Sequence, residues 1–332
     1  MPDPKPQKSE YQIFLDQKHE KFKTSREVID GVVHKAVGDS IASLDRIIKG
    51  EDGEVYSVKT QNGQQIILRI LRRGDDRPYE RERWAIEQSI AVGVPAPEIL
   101  LIDRIQDQGE WLSVCVENKI EGTPMNELED QLSPEDKHRI IVDAGGILHK
   151  IHSVHTKGFG KLDADGQGQY STIQEELMNG PRNRKTLLET AQNTGLSIQA
   201  LNKSLAIIEE AAVKYDYAGQ PRLLHWDYST KHFLIKNGEI NGVIDFEGAK
   251  GSDPIQEFAR WDFYFQHDYP VSWLMEGYPD KTIFENDFQT KMHVWKLAFG
   301  LDVLYYYEQD KNQSMVEYSK QQLLKDLEFF KK

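Results

Sequence analysis

A single cysteine in 332 residues excludes an intramolecular disulfide. Cys115 lies in the apolar stretch from Leu112 to Val116 and reads as a small core residue kept in a reducing compartment, so a cytoplasmic location is expected. No apolar run reaches the roughly 18 residues of a membrane helix, and Met1-Pro2-Asp3-Pro4-Lys5 lacks the charged-then-apolar order of an export signal, so neither membrane insertion nor export is expected. Basic residues are in the minority. Lys and Arg number 41 against 54 Asp and Glu, a net charge of −13 that repels a polyphosphate backbone and makes nucleic acid an unexpected partner. Internal repeats and low-complexity segments are missing too, which excludes solenoids and a disordered bulk.

What is present is a soluble balance of 39% hydrophobic and 29% charged residues, long enough for two domains or one bilobal unit at roughly 150 residues per domain. Residues 1 to about 23 are polar and Lys-rich and read as a loosely attached arm or a short helix. Thr24 with Glu27 reads as a capping box for an amphipathic helix through Ala36. Three strands follow, Ser43–Ile48, Glu54–Thr60 and Gln65–Leu71, the last two joined across Asn62-Gly63. Pro78–Ala91 reads as a charged surface helix that ends before Pro95 and Pro97, and strands at Glu98–Ile105 and Trp111–Glu117 complete a five-stranded antiparallel sheet. After Asn118 helical patterns dominate, beginning with a helix from Ser133-Pro134 through His155. The expected fold class is α+β: a small N-lobe, residues 1–117, a larger and mainly helical C-lobe, residues 118–332, and a ligand cleft between them.

The chemistry concentrates in Leu223-Leu-His225-Trp-Asp227-Tyr-Ser-Thr-Lys231-His232-Phe-Leu-Ile235, followed by Lys236-Asn237-Gly238-Glu239 and Ile240-Asn-Gly-Val-Ile-Asp245-Phe246. A hairpin over Asn237-Gly238 would return Asp245 beside the loop that carries Asp227 and His232. Two carboxylates and an imidazole in one polar pocket suit Mg²⁺ or Mn²⁺ held against polyphosphate, with one carboxylate left to orient a substrate hydroxyl.

The order His-x-Asp, a fifth-position His, Ile-Asp-Phe about eighteen residues after Asp227, and then Asp253-Pro254-Ile-Gln-Glu257-Phe-Ala259 resembles the aminoglycoside phosphotransferase and choline kinase group. These are small-molecule kinases with a protein-kinase-like bilobal fold. Arg81-Glu82 before Gly93-Val94-Pro95-Ala96-Pro97, the stretch Ile147–Val154, and Gly158-Phe159-Gly160 extend the resemblance across roughly residues 28 to 265. It implies Asp227 as the catalytic aspartate, His225 as the brace of its loop, and Asp245 as a metal ligand. His232 stands at the second metal position, Asn in most relatives and His in macrolide phosphotransferases; metal ligation and a hydrogen bond to the loop are both open. The resemblance further places Gly50 and Gly53 in the phosphate-covering loop, where a plain turn is an equal alternative. Arg69 takes the place of the phosphate-pairing lysine, with Glu82 as its helix carboxylate, and Glu117-Asn118 falls at the adenine edge.

The implied activity is transfer of the γ-phosphate of ATP or GTP, with Mg²⁺, to a hydroxyl of a small cationic molecule such as an aminoglycoside or macrolide antibiotic. A metabolic kinase for choline, a sugar or an amino alcohol is the alternative, and substitutions at Arg69 and His232 motivate a nucleotide-binding pseudokinase as a third. No oligomeric state is implied. Glu257, Asp262 and Asp268, interleaved with Trp261, Tyr264 and Phe265, offer either an ammonium cage or a helix with an aromatic core face and solvated acids. Asp253 and Glu257 are expected to cap and brace rather than touch substrate. His149, His152 and His155 lie on one helix and are expected to pack or face solvent.

Overall fold

A computed structural model describes residues 19, 23–48, 53–72, 74–75, 77–179, 183–215, 217 and 219–331. The expected N-terminal arm lies outside the described residues except for His19 and Lys23, as does Gly50. The N-lobe opens with helix α1 (Arg26–Val37), followed by strands β1 (Ile41–Ile47), β2 (Glu54–Thr60) and β3 (Gln65–Leu71). Helix α2 (Arg77–Ala91) then leads to β4 (Ile99–Asp107) and β5 (Glu110–Asn118). The strands form one antiparallel sheet in the order β1-β2-β3-β5-β4.

Strand alternation sorts the two faces. Ile66, Leu68 and Ile70 of β3 and Leu112, Val114 and Val116 of β5 pack with Ile29, Val32 and Val33 of α1 in one apolar cluster. The intervening positions, Ile67, Arg69, Cys115 and Glu117, therefore share the opposite face, Arg69 directly across from Cys115 and Ile67 across from Glu117. That face receives α2.

Two local expectations are corrected here. The hydroxyl of Thr24 donates to Glu54 Oε1 at 2.7 Å, and Ser25, not Thr24, is the N-cap of α1, without a capping side chain. No capping box forms because Glu54, fully buried at the start of β2, takes both the hydroxyl and the backbone N–H of Thr24. Helix α2 is not a surface helix: Tyr79, Arg81, Glu82, Ala85, Ile86 and Ser89 are buried. Its charged residues tolerate burial because they are bonded, Arg81 Nη2 donating to the Glu247 carbonyl at 2.9 Å and Glu82 accepting from Arg69.

The C-lobe begins with β6 (Thr123–Pro124) and helix α3 (Pro134–His152), capped by the Ser133 hydroxyl and ending one turn short of His155. Strands β7 (Phe159–Leu162) and β8 (Gly168–Tyr170) precede helices α4 (Ile173–Met178), α5 (Arg184–Thr194) and α6 (Ile198–Lys214). Then come β9 (Arg222–Leu224), β10 (Phe233–Lys236), β11 (Glu239–Val243) and β12 (Lys250–Ser252). Helices α7 (Ile255–Phe265), α8 (Val271–Gly277), α9 (Phe288–Gln309) and α10 (Gln313–Phe329) close the lobe. Helix α8 crosses α3 with backbones nearly touching: a Cβ on Gly277 would fall 1.7 Å from the Val142 carbonyl oxygen, so only glycine fits. Among the described residues no helix is long and apolar enough to cross a membrane.

Candidate active site

Strand β9 pairs with β12, Leu224 opposite Lys250, and delivers the chain into the loop 225–232. The return is the hairpin of β10 and β11, turned over Asn237 and Gly238, both at positive φ as a two-residue hairpin loop demands. Phe233 pairs with Val243, and the Ile244 N–H donates to the His232 carbonyl at 3.1 Å, so Asp245 emerges beside His232. Asp245 itself sits at φ 70°, an unusual conformation for a residue with a Cβ, enforced by these hairpin bonds.

Hydrogen-bond chemistry assigns both imidazoles. A carbonyl oxygen only accepts, so His225 Nε2 carries the hydrogen it gives to the Ile244 carbonyl at 3.1 Å, and Nδ1 accepts the Asp227 N–H at 3.2 Å. Full burial pushes the basicity of His225 down, in keeping with this neutral form. His232 is turned the other way: Nδ1 donates to the Asp227 carbonyl at 2.8 Å, and Nε2 faces Asp245 Oδ2 at 3.0 Å. The loop backbone is also held from below, where Glu257 accepts the N–H groups of His225 and Trp226, each at 2.8 Å.

Asp227, His232 and Asp245 thus present three ligand atoms within 4.8 Å of one another. The donor set fits a divalent cation: two carboxylates supply hard oxygens, and a histidine whose other ring nitrogen is tied to a carbonyl is in the usual metal-binding arrangement. Burial alone would raise the Asp227 carboxyl, but His232, Arg260 and Lys231 more than offset it and hold it at about 2. Asp245 is likewise held below the usual carboxylate range, burial being outweighed by the hydrogen bond from His232 and the charges of His232 and Arg69. Both carboxylates open on a cavity of about 490 Å³ whose wall includes the cations Arg81, Lys161, Lys250 and Arg260, a lining suited to phosphate.

The N-lobe residues gather around Arg69. Its Nη1 is 2.7 Å from Glu82 Oε1 and 3.9 Å from Glu117 Oε2, its Nη2 is 3.9 Å from Glu247 Oε2, and its guanidinium lies 5.3 Å from the centre of the Tyr79 ring. Burial pushes both Glu82 and Glu117 up, against the pull of Arg69. The Asn118 N–H donates to the Glu98 carbonyl and the Lys119 N–H to the Gln65 carbonyl, so these two donors are engaged inside the sheet. A purine edge here would meet carbonyl groups or the residues beyond. Gly53, at φ 80°, lets the chain pass against β3, where a Cβ would fall 2.4 Å from the Ile70 carbonyl oxygen. That closeness is a turn requirement in its own right.

The ammonium cage does not form. Glu257 is buried under the 225–232 loop, Asp262 Oδ2 is paired with Lys296 Nζ at 2.7 Å, and Trp261 is in the core with its indole N–H on the Tyr269 carbonyl. Asp253 precedes the N-cap of α7, Pro254, and accepts from the Ile255 N–H and the Tyr215 hydroxyl. The three helix-region histidines are placed apart: His152 is buried against Tyr278 and Glu257, His149 stacks edge-on to Tyr278, and His155 meets Arg222. Arg260 is the residue sequence reading missed. Its signal was the i,i+3 spacing from Glu257, which puts both on one face of α7 beneath the loop.

The family model described as the phosphotransferase enzyme family matches residues 43–276, more than two thirds of the chain. The chain belongs to this family. Hygromycin-B 4-O-kinase of Escherichia coli is 23% identical over 284 residues, covering 80% of this chain and 75% of the relative. Among solved structures, a thermostable mutant of aminoglycoside phosphotransferase APH(4)-Ia in ternary complex with AMP-PNP and hygromycin B superposes with TM-score 0.69 at 20% identity, covering 90% of this chain and 97% of that one. A putative fructosamine-3-kinase from Thermobifida fusca gives TM-score 0.63 at 15% identity, over 91% and 100% of the two chains. The fold is accordingly protein-kinase-like and bilobal, and the protein is a phosphotransferase with a hydroxyl group as acceptor.

Proposed function

We propose that the protein transfers the γ-phosphate of ATP or GTP to a hydroxyl of a small polyhydroxylated, amine-bearing molecule of the aminoglycoside class. The observation that carries the transfer chemistry is the Asp227–His232–Asp245 constellation opening on a cation-lined cavity. The acceptor class rests on the likeness to the hygromycin-B kinase rather than on a cage in this chain. His232 and Asp245, with Asp227 at its edge, would hold Mg²⁺ or Mn²⁺, which when bound neutralises charge on the phosphate oxygens. Imidazole is softer than an amide oxygen, so His232 tilts the site toward Mn²⁺ relative to an all-oxygen set.

Asp227 orients the acceptor hydroxyl. As the hydroxyl oxygen bonds to the γ-phosphorus, the bond from that phosphorus to the β,γ-bridging oxygen breaks and its electron pair leaves with the nucleoside diphosphate. A carboxyl held at about 2 is a weak base, so it accepts the hydroxyl proton only when that bond is well advanced. Glu257 and His225 keep the loop fixed meanwhile.

Because the 257–268 segment provides no ammonium cage, a metabolic acceptor such as a neutral sugar is the second reading. Incubation with MgATP or MgGTP and a panel of hygromycin B, other aminoglycosides, an amino-sugar macrolide, choline and neutral sugars separates the two by mass spectrometry. Phosphorylation of the amine-bearing antibiotics supports the proposal; phosphorylation of neutral sugars alone moves the protein to the second reading. No phosphorylated product with any hydroxyl compound refutes both.

A further inference from the structure

We infer that Arg260 is a positioning residue for Asp227 and decides which of its two oxygens meets the acceptor. This rests on the reading of Asp227 as the group that orients the acceptor hydroxyl. Helix α7 grips the catalytic loop twice from one face: Glu257 takes two backbone N–H groups, and one turn later Arg260 Nη2 bonds Asp227 Oδ1 at 2.9 Å. The guanidinium is boxed by Trp226, Tyr264 and Phe299, whose ring centres lie 5.1, 5.3 and 5.0 Å from it. Trp226 and Tyr264 each pack against Phe299, nearly perpendicular to it. A planar cation held among three rings and tied to a carboxylate has little orientational freedom.

The other oxygen is held differently. Lys231 Nζ lies 3.1 Å from Asp227 Oδ2, but its side chain is 56% exposed and on a flexible four-carbon stem. Oδ1 is therefore the anchored oxygen, and Oδ2 is the one an arriving hydroxyl takes over from Lys231. Without Arg260 the carboxylate can rotate about its own bond, and neither oxygen is held in line with the phosphorus. Misplacement on the scale of about 1 Å costs roughly 10²-fold in rate.

The test uses the full chain with MgATP, reading phosphate release to water and, in parallel, transfer to hygromycin B. Water serves as the acceptor in the first assay, so the identity of the natural acceptor does not limit it. Arg260→Met should lower kcat by about 10- to 100-fold, a larger change than in KM for ATP, and Arg260→Lys should recover part of the loss. Combined with Asp227→Asn, the Arg260→Met change should alter the residual single-turnover rate by less than about twofold, because its effect passes through the missing carboxylate. Unchanged kcat in Arg260→Met, or an equal further loss in the double variant, overturns the inference. If Arg260→Met does not fold, Arg260→Lys decides, since a kcat at the wild-type level there means the planar fork does no positioning. Should Asp227→Asn itself keep wild-type turnover, the reading of Asp227 fails and this inference with it. Loss in Asp227→Asn with none in Arg260→Met removes the inference alone.

Discussion

His232 donates its Nδ1 hydrogen to the Asp227 carbonyl and thereby aims Nε2 at Asp245 Oδ2, 3.0 Å away. The ring is useful at this position because one nitrogen is fixed by the loop and the other is aimed at the carboxylate, where a metal would sit between them. An asparagine could reproduce the oxygen but not both contacts. His232→Asn should therefore retain measurable transfer with a shift in metal preference from Mn²⁺ toward Mg²⁺, whereas His232→Leu should lose more than about tenfold in metal-nucleotide affinity. Titration calorimetry with each metal checks this. Equal affinities in the wild type and His232→Leu would remove His232 from the metal site.

Asp227 and Asp245 share a pocket but should fail differently. Asp227→Asn keeps shape and removes charge, so turnover should fall by about 10²- to 10⁴-fold while affinity for the metal-nucleotide stays close to wild type. Asp245→Ala deletes a ligand atom directed at His232, and binding of the metal-nucleotide should itself weaken by more than about tenfold, ~1.4 kcal/mol. Steady-state rates and calorimetry on the two variants separate the roles. Identical defects in both would mean that the two carboxylates act as one unit.

Where sequence reading succeeded, the determinants were local. Strand alternation and the Asn62-Gly63 and Asn237-Gly238 turns specify their hairpins within a few residues, and the second of these is what brings Asp245 back to the loop. The misreadings have long-range causes. The hydroxyl of Thr24 is claimed by Glu54, 30 residues away, and Arg81 is buried by a carbonyl 166 residues away, at Glu247, so neither partner is visible in a local window. The 257–268 segment left a cage and a helix with a core face both open because acids and aromatics alternate there. In the fold two of the acids have partners from other elements: the loop amides for Glu257 and Lys296 for Asp262. Arg260 went unread because its partner, Asp227, lies 33 residues away on the 225–232 loop.

The Arg69 cluster makes a stability prediction. Glu82 is almost completely buried, and its charge is matched by a guanidinium that Glu117 also approaches. Removing the cation strands two buried carboxylates, so Arg69→Met should cost about 3 to 5 kcal/mol in denaturant unfolding. Arg69→Lys, which keeps a point charge but not the fork, should cost clearly less. A loss below about 1 kcal/mol for Arg69→Met, the range of an exposed pair, would show that solvent already screens the cluster.

His152 supplies a pH prediction with a definite sign. It lies buried beneath the 225–232 loop, Nδ1 toward the Tyr278 hydroxyl at 3.2 Å and Nε2 toward Glu257 Oε2 at 3.5 Å. Burial lowers its pKa from the ordinary imidazole value of 6.5, outweighing the opposing pull of Glu257. The unfolded chain therefore binds a proton at a pH where the folded chain does not, and its contribution to stability is full above about 6.5 and declines as pH falls toward the lowered folded value. Denaturant unfolding of the wild type should show a loss of stability between about pH 7.5 and about pH 5.5 that is smaller in His152→Gln, which cannot ionise. The gap between the two proteins should be widest at the upper end of that range and narrow toward the lower end. A gap independent of pH would mean that His152 contributes only by packing, and a gap that widens on acidification would mean that Glu257 holds the imidazole protonated in the folded chain.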